Sequence, residues 1–138
     1  MKKIYITGDS MQLYLRNQIN VDGQAEVIEQ SYPVEVTEKN GFSYLVFTNE
    51  EDEKVIMKCS DEELAVTRFS SPKSTMRFHK DKKALASLPT PVGIQHFITE
   101  TSLFKVEQQS VQIDYVLKNS DPESEEIFAE YQLEMTWG

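Results

Sequence analysis

Cysteine is almost missing from this chain. Cys59 is the one thiol among 138 residues, so no intramolecular disulfide can form. Long apolar runs are missing too. None reaches the 18 or so residues that a membrane-spanning helix needs. The first residues, Met1-Lys2-Lys3-Ile4-Tyr5-Ile6-Thr7-Gly8-Asp9, lose their apolar character after Ile6. That is short of the h-region of about 7–15 residues in a secretory leader. A cytoplasmic protein is the expectation.

Positive charge is in deficit, with 14 Lys and Arg against 23 Asp and Glu, a net charge of -9. A phosphate backbone is repelled by such a field unless a local basic patch outweighs it. The one basic run, Lys80-Asp81-Lys82-Lys83, is short and interrupted. Nucleic acid is not an expected partner.

Histidine is scarce as well. His79 and His96 stand 17 residues apart, with no His-x-His and no paired cysteines, so no metal site is expected. Gly8 and Gly93 are isolated, which excludes a phosphate-cradling loop. No Gly-x-Ser-x-Gly elbow occurs, and Cys59 shares a strand parity with Val55 and Met57 as a small apolar side chain would. No catalytic residue and no cofactor is assigned, and an enzyme is the less favoured class. At this length folding buries about two-thirds of the chain's surface. One domain spanning 1–138 can therefore stand on its own core.

What the chain has in abundance is alternation. Leu13, Leu15, Ile19 and Val21 share one parity, with Gln12, Arg16 and Gln18 on the other. This is the period of a half-buried strand. Asp22-Gly23 is a hairpin dipeptide, and alternation resumes beyond it through Ile28, Tyr32, Val34 and Val36. Pro33 cannot donate to a ladder, so a bulge or an edge is expected beside it. Lys39-Asn40-Gly41 marks the next turn. Strands follow at Phe42–Asn49, Val55–Cys59, Leu64–Ser70 and Ser74–Lys80, separated by polar turns. Leu85–Pro91, with Pro89 and Pro91, reads as an extended crossing segment. Strands from Gly93 to Thr99, Leu103 to Gln108 and Val111 to Lys118 complete the middle.

The tail admits two readings. Asp121, Pro122 and the glutamates after them suit a helix start. Ile127, Ala129, Tyr131, Leu133, Met135 and Trp137 alternate as a strand, and that period holds over the longer run. The strand is the reading taken, with a helical start in 120–131 as its alternative.

About ten strands, short turns and no long helix describe an all-β protein. The meander order favours an up-and-down barrel of about 8–10 antiparallel strands. Its radius is roughly 9–11 Å, which spans a lumen filled by side chains and one that holds a small ligand.

A set of short motifs carries a family likeness. These are Arg77-Phe78, Thr90-Pro91-Val92-Gly93 and Thr99-Glu100-Thr101-Ser102-Leu103, with Gly23 to Glu29 and Arg68 further upstream. In order and spacing, from Leu13 to Thr136, the chain resembles the YwiB-like bacterial proteins of Firmicutes, a family of unknown function. Val92 stands where that family usually has an aromatic residue, and Leu88-Pro89 and Phe69-Ser70 also depart from its pattern. The resemblance implies a calycin-like barrel, the class of lipocalins and fatty-acid-binding proteins. It implies no activity.

The candidate site consists of polar residues at strand positions that would otherwise be apolar. Thr75, Arg77 and His79 share one face, with Met76 and Phe78 on the other. His96 alternates with Ile94 and Ile98, and Arg68 with Leu64 and Val66. Facing inward, these groups would hold a small anionic or amphipathic ligand, because a buried arginine needs an anion. The alternative, with Arg77 and His79 in water, is a side-chain-filled barrel that serves as a protein-interaction or accessory module. A homodimer through an edge strand is a further expectation.

Overall fold

A computed structural model describes residues 11–121 and 123–138. The expectations for Met1–Asp9 and for Pro122 fall outside these residues. All ten elements are strands: β1 (Met11–Val21), β2 (Gln24–Lys39), β3 (Phe42–Thr48), β4 (Lys54–Cys59), β5 (Glu63–Arg68), β6 (Ser74–His79), β7 (Ala84–Thr90), β8 (Gly93–Glu107), β9 (Ser110–Asn119) and β10 (Ile127–Trp137). Each pairs antiparallel with its neighbours in sequence, and β10 returns to β1, so the sheet closes. This is the up-and-down, calycin-like barrel. None of the described residues forms a helix long and apolar enough to cross a membrane. The tail is the strand that its longer alternation indicated.

Turn chemistry sets the register. Asp22 and Gly23 have φ of 51° and 79°, and Asn40 and Gly41 have 55° and 81°. Both pairs make the two-residue turn whose twist matches that of its flanking strands. The alternate residues then fill the lumen. Leu13, Leu45, Leu64, Ile113 and Met135 are fully or almost fully buried there, packed with Val34, Met57, Phe78, Val111 and Trp137.

The wall opens in two places. The β2–β3 ladder runs from Lys39↔Phe42 only to Glu35↔Val46. Pro33 lies just beyond it, where the missing N–H costs no rung. β6 and β7 share two rungs, Thr75↔Ser87 and Met76↔Ala86. Pro89 lies past them, where β7 has β8 on one side only. Below those rungs β8 reaches across the gap. The buried Thr99 hydroxyl donates to the Arg77 carbonyl at 2.6 Å. Thr99→Val keeps the shape and removes this donor. It is expected to cost about 1–3 kcal/mol, the penalty of an unsatisfied buried carbonyl, measured by urea unfolding.

Candidate functional site

The barrel has two unlike ends. One end carries the turns after β2, β4, β6 and β8. The other carries the turns after β1, β3, β5, β7 and β9, and two hairpins project from it. These are the tips of β1–β2 and β7–β8, which extend past the last rungs of their outer neighbours. We refer to this second end as the mouth.

Many inward residues toward the mouth are only partly buried. Leu15, Asn17 and Ile19 on β1, Gln30 on β2, Val66 and Arg68 on β5, Met76 on β6, Leu88 on β7, Phe97 on β8, and Tyr131 and Leu133 on β10 all keep part of their surface accessible. An inward side chain that stays accessible meets solvent at the mouth, at the openings beside β2 and β7, or in a space inside. Small residues make that room on one flank, where Ser74, Ala86, Thr99 and Ala129 point inward.

Three polar atoms of the interior have no hydrogen-bond partner among the described residues: Asn17 Oδ1, Thr101 Oγ1 and Arg68 Nε. Buried polar groups are normally satisfied, so such atoms mark a place where water or a ligand group belongs. Arg68 stands opposite Val55 and Ser74, both buried, so it faces the lumen. Its Nε lies 3.7 Å from Glu53 Oε1, beyond hydrogen-bond range, and 40% of the side chain is accessible. A second polar group lines the wall. Tyr32 donates its hydroxyl to Glu50 at 2.7 Å, and Gln30 Nε2 approaches the same carboxylate at 3.3 Å.

Burial, and then the bond to Glu50, push the Tyr32 phenol up to about 12. Burial also raises Tyr115 and Tyr131, whose rings stack at 4.6 Å. A raised folded-state value means stability is intact below the unfolded tyrosine value near 10. It is lost as pH rises from about 10 toward 12, because only the unfolded chain ionises freely there. Absorbance titration at alkaline pH is expected to show a late tyrosine class that ionises together with unfolding.

Of the five residues expected in the lumen, Arg68 alone faces it. Thr75, Arg77 and His79 lie on the outer wall, because β6 turns Ser74, Met76 and Phe78 inward against Arg68, Val66 and Leu64. Two large apolar side chains claim the interior over Arg77 and His79. His79 and Arg77 instead border an outer depression with Lys82 and Lys83. His96 also faces out, 2.8 Å from the Ser87 hydroxyl through Nδ1. Asn17, Gln30, Tyr32 and Thr101 line the interior without having been singled out. Asn17 could have been, because it is the polar member of the parity set by Leu13, Leu15 and Ile19. No group of three or more metal-ligating side chains occurs among the described residues.

The mouth is ringed by apolar side chains. Val21, Val27 and Ile28 project on one hairpin and Val92 and Ile94 on the other, with Val92 82% exposed. Phe69, Ile127 and Phe128 complete the ring. Outside them lies an acidic girdle from Glu50-Glu51-Asp52-Glu53 and from Asp121, Glu123, Glu125 and Glu126.

Comparison with solved structures finds the same architecture in the crystal structure of the ywiB protein from Bacillus subtilis. The TM-score is 0.71 over 92% of this chain and 89% of that one, at 22% identity. None of the curated proteins is similar enough to count as a match. Residues 13–135 match the family model described as Domain of unknown function (DUF1934), and the chain belongs to that family.

Proposed function

We propose that the barrel is a binding protein for a small amphipathic molecule. The apolar part enters the mouth-side lumen, and a single anionic head meets Arg68. The observation that carries this reading is the inward-facing Arg68, whose Nε has no hydrogen-bond partner among the described residues, set beside inward apolar side chains that keep part of their surface accessible toward the mouth. An apolar chain placed there covers Leu15, Ile19, Val66, Met76 and Leu133. Transfer of such surface from water contributes roughly 25 cal/mol per Å².

The head group follows from charge and geometry. Arg68 is the inward-facing cation among the described strands, and Glu53 satisfies it only loosely. A carboxylate supplies the charge-assisted bonds it lacks. Apart from Glu53, the carboxylates of the girdle are solvent-exposed and are screened beyond about 8 Å at physiological salt. A direct contact at Arg68 outweighs them.

Decanoate, decanol and decylammonium test the proposal together in thermal-shift titrations. Stabilisation is expected in the order decanoate, decanol, decylammonium, with displacement of an environment-sensitive dye by decanoate. Equal responses to all three, or none, overturn the anion assignment or the lumen site respectively.

A further inference from the structure

We propose that the free edge of β2 is a docking strand for an extended, lysine- or arginine-bearing segment of a partner protein. The geometry is set by two turns. Val21 and Gln24 flank the two-residue Asp22-Gly23 turn and form its hydrogen-bonded pair. Counting in twos along β2, Glu26, Ile28, Gln30 and Tyr32 therefore direct their amides and carbonyls to β1. The odd residues point the other way. The Asn40-Gly41 turn gives the same phase independently, because Lys39, Thr37 and Glu35 bond to β3.

Beyond Glu35 no described strand takes those groups. β3 is paired with β2 only up to Val46, and β2 touches no described strand other than β1 and β3. The N–H and C=O of Ala25, Val27, Glu29 and Ser31 thus line an open edge. Pro33, which lacks an N–H, closes it toward the barrel. At the fork where β2 leaves β3 there is an open depression of about 630 Å³, bordered by Val34, Val46 and Phe47. An edge with a side-chain notch at its end is the arrangement that accepts an added strand.

Charge decides the occupant. Glu26, Glu29 and Glu35 lie along the strand, and Glu50, Glu51 and Asp52 crowd the adjoining turn, which Glu50 ties to Gln30 and Tyr32. Lys54 at the fork is the cation among them. A second copy, added antiparallel about Glu29, would set Glu29 against Glu29. Like charges facing across strands oppose pairing. A basic segment meets the opposite sign and gains both the ladder and the field.

Amide hydrogen exchange with a synthetic peptide of alternating lysine and valine tests this on the full chain. In the free protein, Ala25, Val27, Glu29 and Ser31 are expected to exchange fast, while Glu26, Ile28 and Gln30 are slow. The lysine peptide should protect the first set and bind at least about tenfold more tightly than a glutamate–valine peptide, with affinity falling as salt rises. Val27→Pro removes an outward donor and should abolish this binding with little change in melting temperature. Should that variant misfold, the pair Glu29→Lys and Glu35→Lys should reverse the preference between the two peptides. Slow exchange of all seven amides without peptide, protection that depends on protein concentration, or equal binding of the two peptides overturns the proposal.

Discussion

Replacement of Leu45, Ile113 or Met135 by alanine is expected to destabilise the barrel by about 2–5 kcal/mol each and to lower its melting temperature by about 10 °C. These side chains are fully buried, and each belongs to the continuous cluster that fills the lumen. Truncation leaves a cavity that a closed wall cannot collapse to fill. Leu15→Ala and Leu133→Ala remove the same atoms from inward positions that remain accessible. They are expected to cost about 1–2 kcal/mol, because part of that surface is already exposed to water. Denaturant unfolding of the five variants gives the comparison. Equal costs at both levels would mean a lumen packed uniformly along its length.

Arg68→Met should weaken decanoate binding by about 10–100-fold, the worth of a charge-assisted hydrogen bond of 1.5–3 kcal/mol. Arg77→Met should change it by less than about twofold, because that guanidinium stands on the outer wall, next to inward Met76 and Phe78. Glu53→Gln releases Arg68 from its loose carboxylate partner and is expected to tighten decanoate binding. Calorimetric titration measures all three. An effect at Arg77 that matches the one at Arg68 would place the ligand outside the lumen.

Alternation made most of the wall legible. The period of two in β1, β9 and β10 follows directly from a sheet with one face in the core. The Asp-Gly and Asn-Gly turns placed two hairpins because only such pairs accept positive φ at both positions. Pro33 signalled the end of the β2–β3 ladder for the same local reason.

Which face of a strand points inward was harder to read. On β6 both parities carry credible interior residues, and the outcome rests on the rungs Leu64↔Phe78 and Val66↔Met76. Those rungs join β6 to the neighbouring β5, and the alternation within β6 alone does not contain them. His96 was misplaced by its neighbours. Ile94 and Ile98 suggest an inward face, yet β8 there belongs to the projecting hairpin, and Ile94 is exposed. Arg68 was legible because Leu64 and Val66 share its parity, while the opposite face between them and Arg68 holds the small Ala65 and Thr67.

The central claim is a lumen that admits an apolar chain from the mouth, beside Arg68. Methyl NMR of the full chain during titration with decanoate tests it most directly. Shifts are expected at Leu15, Ile19, Val66, Leu88 and Leu133, with Leu13, Leu45, Leu64 and Ile113 unmoved. Shifts confined to the outer Val116 or Leu85, or no shift at saturating decanoate, would contradict it.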